Sequence, residues 1–300
     1  MHHTPIDSGT IRALLVEAES LLAEGPHRER ARRDADALLL HVLKQNAPGT
    51  TVACPNLAWL IAHDSERLAP DAAARLRALV KRRLAGEPIQ YITGETEFYG
   101  LSLRVNRDVL IPRPETEHLV ENAIALAADF ARPRIVDVGA GSGAIAVALV
   151  RKLPTAQMTA TEISASALKV ARENAERNGV ADCIRFLEGD LLAPVAGEAF
   201  DLVVSNPPYV PEGDRNTLSV EVRDYEPAQA FFAGSDGLEV YRRLIPAAFD
   251  ALLPGGFLVL EIGYGQQEPV RALLTDAGFN DVAFTRDLKG IPRVATARRP

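Results

Sequence analysis

Three clusters of residues carry groups that could do chemistry. The first is Asp137-Val138-Gly139-Ala140-Gly141-Ser142-Gly143, where an acid sits in an apolar run and glycines alternate with small residues. Glycines where a strand hands over to a helix let the backbone turn sharply and approach a ligand closely. The spacing is Gly139-x-Gly141-x-Gly143 rather than the G-x-G-x-x-G of dinucleotide binders. Asp137, inside the preceding run, would meet a cationic or amino group better than a pyrophosphate. The second cluster is a pair of later acids. Glu162 closes the next strand-like run, where a carboxylate can take both hydroxyls of a ribose, and Asp190 follows the third run with Leu191 beside it. Each acid alone reads most simply as a helix cap or a solvated loop carboxylate. Jointly with the glycine loop they point to adenosine binding.

The third cluster is Asn206-Pro207-Pro208-Tyr209 at the end of a fourth apolar run. Two adjacent prolines donate no hydrogen bonds and fix their own φ, and Pro207 restricts Asn206 toward extended conformations. The result is a stiff element with an amide oxygen, free carbonyls and an aromatic face. That equipment suits a planar amine or amide nitrogen. The Asn206 side-chain oxygen and the Pro207 carbonyl can each accept one N–H while Tyr209 packs on the plane. Adenine N6, asparagine and glutamine all offer such a nitrogen, and a merely rigid turn is the plain alternative.

The elements that must position these groups fall into two regimes. Ile11, Leu14, Leu15, Ala18, Leu21 and Leu22 recur at the spacing of one helical face, as do Leu38, Leu39 and Val42. Leu76, Leu79, Val80 and Leu84 repeat it, opened by Asp71 as a cap. Residues 1–85 therefore read as a small helical bundle suited to substrate recognition. The charged runs Arg28–Arg33 and Lys81–Arg83 read as solvated helix faces. Residues 86–111 are rich in aromatic and β-branched residues punctuated by glycine, from Gln90 to Gly94 and from Glu97 to Val105, which predicts a β-hairpin linker. Residues 112–300 alternate strand and helix patterns. The runs 135–139, 158–162, 184–187, 200–204 and 257–262 predict an open parallel sheet covered by helices, the α/β Rossmann-like class.

Composition excludes several classes. Hydrophobic residues at 47% and charged residues at 24% are ordinary globular values. A net charge of −7 makes bulk electrostatic binding of duplex phosphates a poor reading, so no direct nucleic-acid binding is expected. Cys54 and Cys183 have no short-spaced partner, which suits a reducing compartment. The six histidines show no metal-ligand spacing, so no metal site is expected. No signal-peptide layout and no apolar run near the roughly 18 residues of a membrane span occur. A soluble cytoplasmic protein with no membrane partner is expected.

The glycine loop, the acids and Asn-Pro-Pro-Tyr together resemble class I S-adenosylmethionine-dependent methyltransferases acting on nitrogen. The resemblance narrows with Gly86-Glu87-Pro88-Ile89-Gln90-Tyr91-Ile92-Thr93-Gly94, Glu97-Phe98-Tyr99-Gly100 and Leu110-Ile111-Pro112-Arg113-Pro114-Glu115-Thr116-Glu117. With Tyr225-Glu226-Pro227 and Gly234-Ser235-Asp236-Gly237-Leu238, these are similar to the bacterial release factor glutamine methyltransferases, the PrmC/HemK family, over essentially the whole chain. That family methylates the side-chain nitrogen of the glutamine in the Gly-Gly-Gln motif of class 1 peptide chain release factors, forming S-adenosylhomocysteine. The resemblance implies that Asp137, Val138, Gly139, Ala140 and Gly141 bind the cofactor, that Glu162 holds its ribose and that Leu191 flanks the adenine. It also implies that Asn206, Pro207, Pro208 and Tyr209 grip the glutamine, with Asn206 next to the cofactor as well. Two positions depart from the family pattern. The ribose acid is usually Asp and is Glu162 here, and Ala230-Phe231-Phe232-Ala233 replaces a form containing Ala-Leu.

An amide nitrogen is a poor nucleophile because its lone pair is delocalised. Catalysis must hold it in line with the sulfonium methyl and stabilise charge developing on nitrogen, the second task falling to Asn206 and Pro207. No conventional general base is evident. The rival readings are a glutamine methyltransferase of a ribosomal protein, an adenine-N6 DNA methyltransferase and a non-catalytic adenosine-binding module. The Ile111-to-Glu117 segment, the acidic charge and the intact nitrogen clamp respectively count against them. A nicotinamide-dependent dehydrogenase is disfavoured by the glycine spacing.

Overall fold

Thr10 opens the first helix, its hydroxyl accepting from the Ala13 amide and occupying one donor that a helical first turn leaves free. The structure, a computed structural model, describes residues 9–45 and 55–300. Cys54 lies outside the described residues. The chain divides into two units, the first ending at Gly94 but also taking in Ser219–Tyr225. This unit holds α1 (Ile11–Leu22), α2 (Ala31–Gln45), α3 (Leu57–Ala62), α4 (Pro70–Leu84) and α5 (Ile89–Thr93). Its core gathers Ile11, Leu14, Leu38, Leu39, Leu76 and Val80, the apolar faces read from helical spacing. Leu21 departs from that face and is exposed.

Three local features differ from the sequence expectation. Asp71 does not cap α4. Ala69 occupies that position with Pro70 in the first turn, and Asp71 instead pairs with Arg75 at 3.0 Å. Gln90–Gly94 is not strand. Ile89–Thr93 is a short helix after Pro88, because Ile92 is recruited into the helical core and tertiary packing overrides a β-leaning composition. Arg83 is not on a solvated face. It is 2% exposed and its guanidinium lies 2.6 Å from Asp34 and 2.5 Å from Glu221. A guanidinium tolerates such burial only when paired.

The second unit covers Glu95–Leu218 and Glu226–Pro300. It opens with a hairpin, β1 (Glu95–Phe98) and β2 (Leu101–Arg104), paired antiparallel. The expected linker over 86–111 is thus divided, with its short helix in the first unit and its hairpin in the second. The remaining order is α6 (Glu117–Ala127), β3 (Arg134–Val138), α7 (Ala144–Lys152), β4 (Gln157–Glu162), α8 (Ala165–Arg177), β5 (Ile184–Glu188) and β6 (Phe200–Ser205). Then come α9 (Val220–Tyr225), which is the segment belonging to the first unit, α10 (Glu239–Ala251), β7 (Leu252–Glu261), α11 (Gln267–Asp276), β8 (Asn280–Arg286) and β9 (Pro292–Arg298).

The seven strands run in the order β5-β4-β3-β6-β7-β9-β8. β3 to β7 are mutually parallel, while β9 is antiparallel to β7 and to β8. The closing antiparallel hairpin extends the expected parallel sheet. Alternate residues face opposite layers. Ile135, Leu202 and Val204 pack into one core with α7, and Val136, Val203 and Leu258 into another with α10 and α11. The chain winds from β3 through β4 to β5, then returns to β6 on the other side of β3. That reversal makes a crevice at the strands' carboxyl ends, where open α/β sheets bind ligands.

Candidate active site

A cavity of about 300 Å³ occupies this crevice, at the lower end of the roughly 300–1,000 Å³ range of ligand sites. Its glycine side is shaped by backbone bonds to β4. The amides of Gly139 and Ala140 both donate to the Thr161 carbonyl, at 2.9 and 3.0 Å. Gly143 takes φ +78, and a Cβ there would lie 3.0 Å from the Ala171 side chain and 3.1 Å from its Cα. Glycine is therefore needed both for the left-handed turn and for the close approach of α7 to α8. Asn174, fully buried in α8, donates to the Ser142 carbonyl at 2.9 Å and so ties the loop to the helix behind it.

Glu162 lies on the cavity wall. One carboxylate oxygen accepts from the Gly141 amide at 2.8 Å and the other from the Ser164 amide at 2.9 Å. A carboxylate offers about four acceptor sites, so the two amides orient Glu162 and leave capacity for hydroxyls. Asp137 is 0% exposed beneath the loop. Neither of its oxygens accepts a hydrogen bond of normal geometry. Burial pushes its carboxyl up to about 7, the nearby Ala146 amide offsets part of that rise, and the Glu162 charge adds to it. A buried, unpaired acid at the end of a strand is costly unless something completes it. Leu191 also lines the cavity, in the left-handed region at φ 48, and its neighbour Asp190 pairs with Arg243.

The opposite side is built from side chains far apart in sequence. The Ser205 hydroxyl donates to the Val138 carbonyl at 2.6 Å, locking the end of β6 to the end of β3. Asn206 follows at once and lines the cavity. Its Nδ2 donates to Thr116 Oγ1 at 3.2 Å, and Thr116 donates in turn to Glu261 Oε2 at 2.6 Å. The Tyr209 hydroxyl donates to the other Glu261 oxygen at 3.3 Å, while Gln266 Nε2 donates to the Tyr209 carbonyl at 2.9 Å. Burial pushes the Glu261 carboxyl up to about 7, opposed by the Thr116 and Tyr209 hydroxyls and the charge of Arg293, with Glu115 adding to the rise. The Tyr209 hydroxyl is also pushed well above its ordinary value, by burial first and then by the Glu261 charge. Among the described residues, no donor reaches Asn206 Oδ1 or the Pro207 carbonyl.

Of the residues expected from sequence, Gly139, Ala140, Gly141, Glu162, Leu191, Asn206 and Pro208 border one cavity. Asp137 and Val138 sit below it, buried in β3. Pro207 and Tyr209 are not on its wall. The Tyr209 ring packs against the core beside α10 and α11, with its hydroxyl turned to Glu261. The sequence reading assigns no role to Thr116, Glu261, Gln266 or Arg243. Glu261 did carry a signal, as the lone acid in the apolar run Phe257–Ile262.

The sequence has close counterparts among known proteins. Residues 13–94 match the PrmC N-terminal domain and residues 116–223 the methyltransferase small domain. A release factor glutamine methyltransferase of Geobacter sulfurreducens is 42% identical over 289 residues, covering 96% of each chain. The chain belongs to the release factor glutamine methyltransferase family. A family member from Bordetella pertussis is 45% identical over 239 residues, covering 79% of this chain and 87% of its own. Among solved structures, the hMettl16 catalytic domain in complex with the MAT2A 3'UTR hairpin 6 shares the fold. It aligns at TM-score 0.56 and 18% identity, covering 82% of this chain and 93% of that one.

Proposed function

We propose that the protein methylates, in the cytoplasm, the side-chain amide nitrogen of the glutamine in the Gly-Gly-Gln motif of class 1 peptide chain release factors. S-adenosylmethionine is the methyl donor. One observation carries the reading. Two unengaged acceptors stand on one proline-stiffened element, Asn206 Oδ1 of a residue on the cavity wall with the glycine loop and the Pro207 carbonyl one residue further on. An amide nitrogen carries two N–H groups, and two fixed acceptors match them.

The residues of the glycine side fit the cofactor. Glu162 has acceptor capacity facing the cavity for ribose hydroxyls. Leu191 supplies an apolar contact for the adenine. The unpaired Asp137 carboxyl places negative charge beneath a site that takes a cation. When bound, the cofactor supplies an electrophilic methyl on a positively charged sulfur.

Asn206 and Pro207 then do two things. They orient the glutamine nitrogen for in-line approach, which converts a bimolecular encounter into a positioned one. They also stabilise the positive charge that grows on nitrogen as its lone pair leaves conjugation, a contribution absent from the ground state. Pro207 and Pro208 hold both acceptors without rearrangement, because their φ angles are fixed. Tyr209 has its hydroxyl and carbonyl both engaged and its ring in the core, so it anchors the element from behind.

The testing experiment incubates the protein with methyl-labelled cofactor and, separately, an intact class 1 release factor, a short Gly-Gly-Gln peptide, a ribosomal protein mixture and duplex DNA. Mass spectrometry should find one methyl on the release factor glutamine. The peptide should react much more slowly, since it forgoes remote contacts whose binding energy positions the loop. Methylation of DNA or of ribosomal protein alone would overturn the reading.

A further inference from the structure

We propose, building on the reading of Asn206 above, that Thr116 and Glu261 are positioning residues for methyl transfer. Glu261 directs the Thr116 hydroxyl proton, and Thr116 in turn holds the Asn206 amide with its nitrogen inward and its oxygen toward the substrate nitrogen. The three residues form one chain of hydrogen bonds whose direction is set at its buried end.

The polarity follows from counting protons. Above about pH 7, where Glu261 is ionised, its carboxylate only accepts, and a hydroxyl has a single proton to give. The 2.6 Å separation from Glu261 Oε2 commits the Thr116 proton to the acid. Toward Asn206 the hydroxyl can then only accept, so the group at 3.2 Å must be Nδ2. The reversed amide would set oxygen against oxygen. An asparagine amide is otherwise weakly restrained, because rotation about its terminal bond is broad and roughly two-fold. Without the anchor both orientations are open, and one of them presents N–H groups to a substrate that also offers N–H groups.

The acid itself is firmly placed. Glu261 ends β7, and its neighbour Leu260 is in register with Ser205 of β6, the residue before Asn206. It is 2% exposed. Its second carboxylate oxygen accepts from Tyr209 at 3.3 Å and its carbonyl from the Tyr241 hydroxyl at 2.8 Å. Thr116 is equally enclosed at 4% exposure. Charge at one end of such a chain polarises every bond in it, so an ionised Glu261 also strengthens Asn206 Oδ1 as an acceptor. A neutral side chain able to donate at position 261 would permit the opposite polarity.

The experiment compares Thr116→Val, Thr116→Ser and Glu261→Gln with Asn206→Ala. Each is assayed for kcat and KM on intact release factor at saturating cofactor, with S-adenosylhomocysteine affinity and Tm measured alongside. Thr116→Val should lower kcat about 10- to 100-fold, the scale of lost orientation at a reacting centre, with cofactor affinity unchanged. Thr116→Ser should recover most of that loss, because it restores the hydroxyl and not the methyl. Glu261→Gln should fall like Thr116→Val, and Thr116→Val combined with Glu261→Gln no further than either alone. Wild-type kcat in Thr116→Val alongside an inactive Asn206→Ala would overturn this inference and leave the reading of Asn206 standing. A serine variant no better than the valine would overturn it too, by showing that packing rather than the hydroxyl matters. An active Asn206→Ala would instead strike the function proposed above.

Discussion

Two buried acids sit at strand ends on either side of β6, and they have opposite surroundings. Asp137, on β3, accepts no hydrogen bond of normal geometry at either carboxylate oxygen and has only the nearby Ala146 amide to offset its burial. Glu261, on β7, has both oxygens engaged by hydroxyls. Burial lifts each carboxyl to about 7, so desolvation alone does not distinguish them. Their partners do. An acid whose hydrogen bonds are met by its own chain spends them on orienting that chain. An acid left unmet is available to a ligand. The cavity thus has one face whose acid is satisfied from within and one whose acid is left for a ligand.

The sharpest way to break this contrast is at Asn206, which ends the self-completed face. Asn206→Ala should lower kcat by about 10²–10³, the usual cost of one well-placed group in a transition-state clamp. Calorimetry should show cofactor affinity unchanged within about two-fold, a difference worth under 0.5 kcal/mol. Loss of cofactor binding in this variant would mean the two faces are not separate.

Asp137→Asn tests the unmet face. The ionised acid favours a cationic ligand, and a carboxyl poised near 7 becomes ionised as pH rises through that value. Affinity for S-adenosylhomocysteine, whose ammonium remains, should therefore increase from pH 6 to 8 in the wild type. The asparagine variant should bind about ten-fold more weakly at pH 8, or about 1.4 kcal/mol, and lose most of this pH dependence. Unchanged affinity at both pH values would refute the role given to Asp137.

The smallest effect is on stability. Both acids have folded pKa values raised above their unfolded ones, from 3.8 and 4.5 respectively to about 7. The native state therefore holds more protons than the unfolded chain between these limits, and its stability falls as pH rises from about 4 to 7. Asp137→Asn removes an unpaired charge, so its ligand-free Tm should exceed that of the wild type at pH 8, by about 2–4 °C per kcal/mol recovered. At pH 5 the gain should shrink. Glu261→Gln should show no such gain, because it also weakens two bonds to hydroxyls. Equal behaviour of the two variants in a thermal melt would erase the contrast.

Legibility in the sequence followed the range of the interactions. The glycine loop was readable because a strand, a turn and a helix start lie within a dozen residues, and positive φ at Gly139, Gly141 and Gly143 is a local demand. The apolar faces of α1, α2 and α4 were readable for the same reason. Arg83 has its burial masked in the sequence by its exposed charged neighbours Lys81 and Arg82. Its phase, with Leu76 and Val80 on one helical stripe, already pointed inward. Gln90–Gly94 is β-leaning in composition, but Ile92 is claimed by a helical core and Ile89–Thr93 is helix. Nothing local announced that Ser219–Tyr225 would join the first unit, where Glu221 meets Arg83 and the Tyr225 hydroxyl donates to the Ala85 carbonyl at 3.0 Å.

By itself the sequence determined the chemical kinds present: a glycine turn with acids on successive strands, and an amide on a proline-stiffened end. These are properties of short segments, set by backbone sterics and by which side chains can accept or donate. Only the tertiary structure decided which way the Asn206 amide faces, since that depends on Thr116 and Glu261, 90 and 52–55 positions away in the chain from the element they anchor. It likewise decided that Asp137 is left without a partner while Glu261 is not. A buried charge is governed by whatever donors packing brings within about 3 Å, and that neighbourhood is assembled only when β3, β6 and β7 lie side by side.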